Sequence, residues 1–351
     1  MHLPQEKRIP MAANFDAITE INLSPLFESS DAEHSGVDSL IANTLATDGA
    51  FVATGFPDSN HIDGAMADLM RFFDLPLETK MRCAVESYQS SNPNTYRGYY
   101  PLPEETGWTH FAKGKEYFDI GPEPQMEHPD IPGGASFCEA NVWPDEEDLP
   151  GWHSLVLGQL EGLRELTCVL MRAIARGLEL DPEPFAQASA GRNASIRLLH
   201  QPERREIIQK TSQGTSVTCE VNLPTDLERL SDGRTIVTGG HLDQNLLSVL
   251  WQSSAGGLQM QSQDGTWKEV FPKPGTLSIH CGALLSYLTG DTLVGTPHRV
   301  ASDGAHKTAM GFFLEPDFAA TVYTLENGFP VTYAQHLVNL FPDRFTDSQA
   351  A

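Results

Sequence analysis

The stretch "GGHLDQNLL", residues 239–247, closes a polar loop and opens an apolar run. It sets His241 and Asp243 one residue apart at the start of what reads as a strand. Residues i and i+2 of a strand share a face, so both side chains could reach one ion. They could equally be two polar residues at a strand end. The surrounding runs decide the fold class. "ASIRLLH" (194–200), "LLSVLWQS" (246–253), "GLQMQS" (257–262), "TWKEVF" (266–271), "GTLSIHCG" (275–282), "LLSYL" (284–288) and "KTAMGFFLEP" (307–316) are short and separated by Gly, Pro, Asp and Asn. Many short strands at close spacing predict a β-sandwich or barrel.

Upstream the period is helical. "GVDSLIANTLATDG" (36–49) puts Val37, Leu40, Ile41 and Leu45 on one face, and "AFVATGF" (50–56) then reads as a strand. "HIDGAMADLMRFFDLP" (61–76) keeps Ile62, Met66, Leu69 and Phe73 in phase up to Pro76. The longest helical pattern, 150–180, carries Leu163, Leu166, Leu170, Ile174 and Leu178 as a core stripe. Residues 84–150 read as mostly irregular, residues 1–17 as an arm, and "YAQHLVNLF" (333–341) as a closing helix. The chain is therefore mainly β with flanking helices. We expect an N-terminal helical and irregular region (1–190) packed on a jelly-roll core (191–320), then a helical tail (321–351), all as one unit.

Composition is that of an ordinary globular chain, and the net charge of −24 repels phosphate backbones and argues against a nucleic-acid partner. The five cysteines are odd in number and form no CxxC pair, which suggests reduced thiols and a cytoplasmic protein. No stretch is long and apolar enough to predict a membrane span or an export signal.

A third ligand comes from "TPHRV" (296–300), which brings His298 just after an apolar run. Two histidines and one carboxylate make a facial triad with open positions, the ligand set of non-haem Fe(II) oxygenases. A closed structural zinc site would need a fourth Cys or His. His280, inside "SIHCG", is the rival third ligand or a packed core histidine.

The HxD at 241–243, HRV at 298–300 and FFLEP at 312–316 resemble the isopenicillin N synthase-like branch of the 2-oxoglutarate/Fe(II) oxygenases. "DGAFVATGF" (48–56), "FFDLPLETKMR" (72–82), "TYRGYYPL" (95–102), "KEYFDIG" (115–121), "NVWP" (141–144) and "GGLQMQSQDGTWKEVFPKPGTL" (256–277) extend the likeness over nearly the whole chain. The resemblance implies a distorted double-stranded β-helix, a jelly roll with helices on its outer face. It also implies Fe(II) on His241, Asp243 and His298, with 2-oxoglutarate and O2 as cosubstrates.

Three positions depart from that pattern. Where the family carries Arg-x-Ser for the far carboxylate of 2-oxoglutarate, this chain has Lys307 and Ala309, and Gln201 stands at the position of a supporting Tyr. Lys offers a point charge where Arg offers a planar fork. The pocket could bind 2-oxoglutarate in an altered way, or bind the carboxylate of a substrate without using an oxo-acid. The substrate implied is small and polar, with Arg97, Lys115, Glu116 and Arg197 as candidate contacts. A long stretch between Pro202 and His241, an insertion at about 203–238 with Arg204 and Arg205, reads either as a hairpin over the site mouth or as an inert surface addition. Hydroxylation, desaturation and ring closure remain open, as do an oxidase that does not consume 2-oxoglutarate and a non-catalytic metal-bound sensor. A zinc hydrolase would lack an evident general base.

Overall fold

The computed structural model describes residues 17–28, 31–102, 114–123, 138–190, 193–203, 207–210, 216–219 and 228–340. The N-terminal arm and Arg204 and Arg205 lie outside them.

In chain order the strands are β1 (Glu20–Asn22), β2 (Ala50–Thr54), β3 (Gly98–Tyr100), β4 (Glu116–Ile120), β5 (Ala194–Gln201), β6 (Ile207–Lys210), β7 (Ser216–Cys219), β8 (Thr235–His241), β9 (Leu247–Gln252), β10 (Leu258–Gln261), β11 (Trp267–Glu269), β12 (Leu277–Cys281), β13 (His298–Ser302), β14 (Lys307–Leu314), β15 (Thr321–Thr324) and β16 (Pro330–Thr332). Eight of them form one sheet in the order β1-β2-β12-β9-β14-β5-β4-β3, and four form a second in the order β11-β10-β13-β8. Among the described residues, β6 and β7 pair with each other alone, as an antiparallel ribbon inside the 203–238 insertion.

The large sheet is buried on both faces, by different partners. Alternation sends Ile196, Leu198, Val249, Ile279, Met310, Phe312 and Leu314 into one core with Leu163, Leu166, Leu170 and Ile174 of the helix Trp152–Gly177. The opposite face meets the small sheet, where Ala50 and Val52 join Leu258, Met260 and Val270 in a second cluster. Two packed sheets with helices on one outer face are the jelly roll expected, and the site lies between the sheets.

The helix Asp31–Asp48 lies against the long helix. Arg176 donates to both oxygens of Asp38 at 2.7 and 2.9 Å, and Gly177 sits so close that a Cβ there would fall 2.2 Å from the Asp38 carbonyl oxygen. Ile41 and Leu45 are buried, but Leu40 is 45% exposed and leaves the predicted face. The buried face of this helix is Asp38, Ile41, Ala42, Thr44 and Leu45.

Two further expectations need correction. "LLSYL" is not a strand: Leu285–Leu288 is a helical turn. Gly282 N–H donates to the Leu246 carbonyl and Ala283 N–H to that of Asp243, which ends β12 and turns the chain. A short apolar run does not by itself distinguish strand from helix. Residues 84–150 also hold more order than their composition suggests, because β3 and β4 extend the large sheet through β5. No helix among the described residues is long and apolar enough to cross a membrane.

Candidate metal centre and its cavity

His241 ends β8, and His298 opens β13 as its antiparallel partner in register. Asp243 lies two residues past the end of β8, so the same-face rule for strands does not place it. It is held instead by its carbonyl, which accepts from Ala283 N–H at 2.8 Å. His241 Nε2 is 3.8 Å from Asp243 Oδ1, and His298 Nε2 is 3.8 Å from Asp243 Oδ2. One ligand atom from each residue lies within 4.8 Å of those of the other two, a spacing that could hold a metal ion.

The hydrogen bonds fit that chemistry. His241 Nδ1 lies 2.9 Å from the Gly239 carbonyl oxygen, and His298 Nδ1 lies 3.3 Å from that of Thr296. A carbonyl only accepts, so Nδ1 carries a proton in both rings, and in the neutral form of each ring Nε2 is the nitrogen with the lone pair. Burial pushes His298 down to about 3 despite the pull of the Asp243 carboxylate. Burial alone would raise the Asp243 carboxyl. The hydrogen bond from His280 leads the effects that outweigh it, that of the Ser248 hydroxyl among them, and they hold Asp243 well below the usual carboxylate range. Neutral imidazoles and an ionised carboxylate are the protonation states a metal requires.

The three residues line a cavity of about 170 Å³ that Lys307, Gln201, Ala309, Lys115 and Arg197 also line. Lys307 opens β14 and pairs in register with Gln201. Its ammonium donates to the carbonyls of Gly256 and Ala301, both at 2.9 Å, and burial lowers its pKa. Gly257 is required beside it. Its φ is +99°, and a Cβ there would lie 2.0 Å from the Ala301 oxygen and 2.8 Å from Lys307 Nζ. Gln201 Nε2 donates to Ser302 Oγ at 3.2 Å.

The candidate substrate contacts separate by strand parity. Lys115 reaches across to the small sheet, where its Nζ donates to Thr238 Oγ1 at 2.8 Å. Arg197 grips Asp119 with two 2.6 Å hydrogen bonds and lies over the Tyr117 ring. Glu116, between Lys115 and Tyr117, faces the other way and does not line the cavity. Its buried carboxylate accepts from Lys80 at 2.8 Å, lies 2.6 Å from His200 Nδ1, and meets the Tyr99 hydroxyl. Adjacent strand residues point to opposite faces, so Lys115 and Glu116 do not reach the same space. The Arg97 guanidinium occupies the room a side chain at Gly121 would take, within electrostatic range of Glu315, Glu139 and Asp119. Arg97 is not among the residues lining the cavity. Asp119, Ser248 and Ser302 were not anticipated. Only the alternation of Asp119 with Lys115 could have signalled the first.

Comparison with known proteins gives matches that span most of the chain. The pattern of the 2OG-Fe(II) oxygenase superfamily matches residues 216–316. That of the non-haem dioxygenase in morphine synthesis N-terminal family matches residues 18–146. Isopenicillin N synthase of Streptomyces clavuligerus is 26% identical over 317 residues, 87% of this chain and 86% of that one. A 2-oxoglutarate-Fe(II) type oxidoreductase of Metarhizium rileyi is 28% identical, covering 84% of this chain and 76% of its own. Among solved structures, a full-length Neurospora crassa protein in complex with alpha-KG superposes with a TM-score of 0.67 at 23% identity, covering 93% of this chain and 96% of that one. A 2OG-Fe(II) oxygenase family protein from Caulobacter crescentus gives 0.67 at 24% identity, covering 93% and 99%.

Proposed function

The chain belongs to the 2OG-Fe(II) oxygenase superfamily, and from that premise we propose that it is an Fe(II)- and 2-oxoglutarate-dependent dioxygenase that oxidises an unactivated C–H bond of a small polar substrate. His241, Asp243 and His298 hold the iron. Lys307 and Gln201 receive the far carboxylate of 2-oxoglutarate, and Lys115 with the Arg197–Asp119 pair faces the substrate. The observation that carries this reading is the pair of Nε2 atoms, both freed by Nδ1 bonds and turned toward one carboxylate, in the cavity that holds a buried ammonium.

Ferrous iron at this triad supplies activation of O2 for the overall conversion of substrate, O2 and 2-oxoglutarate into oxidised product, succinate and CO2. The chain supplies the setting. Asp243 stays anionic and His298 neutral, so neither ligand must change its proton state. Leu199, Val237, Leu250, Leu258 and Val300 line the cavity with apolar surface and limit water around the reacting atoms. Two of the three Lys307 N–H donors are bound to backbone, which fixes the ammonium in place for a carboxylate.

A second reading has its own support. Lys307 and Ala309 replace the Arg-x-Ser pair, and the chain is similar to isopenicillin N synthases. In that reading the enzyme is an oxidase that takes its electrons from the substrate alone. Succinate formed per O2 consumed, measured across a panel of small amines and acids, separates the two. A ratio near one supports the 2-oxoglutarate reading, and O2 uptake without succinate overturns it in favour of the oxidase.

A further inference from the structure

We propose that His280 is a positioning residue for the metal centre: it holds one oxygen of Asp243 and so dictates which oxygen faces the ion. His280 is fully buried in β12, in register with Ser248 of β9 on one side and Ala50 of β2 on the other. From these adjacent strands two side chains converge on the same atom. His280 Nε2 lies 3.2 Å from Asp243 Oδ2, and Ser248 Oγ donates to that oxygen at 2.6 Å. The Ser248 hydroxyl accepts in turn from Asn245 Nδ2 at 3.0 Å, so its own hydrogen is directed at Asp243.

The tautomer follows from burial. His280 Nδ1 has no hydrogen-bond partner and no solvent. A proton there would be a buried N–H with nothing to accept it, which is costlier than a bare lone pair. The proton therefore sits on Nε2 and is donated to Oδ2. With two donors on Oδ2, Oδ1 is the oxygen left for the metal, and the carboxylate binds through one atom. The His280 ring also stands 4.5 Å from that of His298, between centroids, so one side chain braces two of the three ligands. It is thus neither a third ligand nor inert core filling. Outer partners of this kind hold ligands in place and typically govern metal affinity 10- to 100-fold.

The inference rests on the assignment of His241, Asp243 and His298 as ligands, and the test separates the two. Metal-free wild-type protein, H280L and H280Q are titrated with Co(II) and followed by its visible ligand-field absorption. Melting temperatures of the metal-free forms serve as the control for folding. Gln places an N–H donor near Nε2 and Leu places none. H280L is expected to bind Co(II) about 10- to 100-fold more weakly with an altered band, and H280Q to regain most of the affinity. Equal affinity and an unchanged band in H280L overturn the inference alone. Failure of the wild type to bind Co(II) overturns the ligand assignment and this inference with it. If H280L does not fold, nitrogen-15 NMR of histidine-labelled, Zn(II)-loaded wild type decides. The Nε2–H tautomer at His280 with no metal shift on either nitrogen sustains the proposal, and an Nδ1–H tautomer or a metal-shifted nitrogen overturns it.

Discussion

Lys307 and Gln201 face each other across the β14–β5 ladder, the first residue of one strand paired with the last of the other. Both residues line the cavity that His241, Asp243 and His298 also line. A 2-oxoglutarate with its keto-acid end on the iron would bring its far carboxylate to this ammonium. Lys307→Met keeps the apolar stem and removes the charge. Loss of a buried ionic hydrogen bond costs about 3–5 kcal/mol, so the KM for 2-oxoglutarate should rise by at least two orders of magnitude. Lys307→Arg should rescue it only in part, because the bulkier guanidinium must replace a group held between the Gly256 and Ala301 carbonyls. Succinate formation against 2-oxoglutarate concentration checks this, and an unchanged KM in the methionine variant would remove Lys307 from the cosubstrate site.

Metal removal should leave the fold intact. The main hydrophobic core lies between the large sheet and the long helix, and none of the three ligands belongs to it. A chelator should therefore not change the far-UV circular dichroism. Metal that binds only the folded state stabilises it by mass action, about 2.7 kcal/mol at a hundredfold excess over Kd. Saturating Co(II) should raise Tm by a few degrees in the wild type and not in Asp243→Ala. An apo-protein that unfolds on chelation would identify the site as a structural staple.

Glu116 gives a contrasting outcome. Its carboxylate is buried with Lys80, His200 and Tyr99. Burial alone would raise its pKa, but the hydrogen bonds from His200, Lys80 and Tyr99 bring it below the usual 4.5. Its contribution to stability is then present above that usual value and is lost as pH falls through the lowered folded value. Glu116→Gln leaves Lys80 buried and unpaired, at a cost of about 3–5 kcal/mol. Urea unfolding at neutral pH should show that loss, while the KM for substrate in the folded fraction stays put. A changed KM with unchanged stability would return Glu116 to the substrate site.

The meeting of His241, Asp243 and His298 and the core stripe of the long helix were legible because each depends on a pattern that survives in one dimension. The HxD and HRV motifs mark the ends of β8 and β13, and the stripe of Leu163, Leu166, Leu170 and Ile174 has the helical period. What escaped depends on register. Lys115 and Glu116 look alike as charged neighbours in "KEYF"; strand alternation sends them to opposite faces, and the pairing of β4 with β5 decides which of the two meets the cavity. Leu40 and the run "LLSYL" fail for a related reason, since hydrophobicity alone does not say which neighbour covers a side chain. The bracing of Asp243 by His280 and Ser248 joins residues 37 and 5 positions away, and nothing local announces it.

Glu315 supplies the pH dependence with the opposite sign. It follows β14 on the same parity as Lys307, Ala309 and Phe313. Burial pushes its carboxyl up to about 7, and the charge of Asp243 adds to the rise, against a hydrogen bond with Tyr333 and the charge of Arg97. Between the usual 4.5 and about 7, the folded state keeps a proton that the unfolded state has lost. Stability must therefore fall as pH rises through that window and flatten above it. The shift corresponds to about 3 kcal/mol at most. Glu315→Gln keeps the size and an acceptor for Tyr333 and cannot ionise, so the decline should vanish. Metal-free wild type and variant should match only below the usual 4.5, and the variant's advantage should widen through that window and level off above about 7. Urea unfolding from pH 5.5 to 8.5 measures the difference, and two parallel curves would show that Glu315 is already ionised at the acid end of the range.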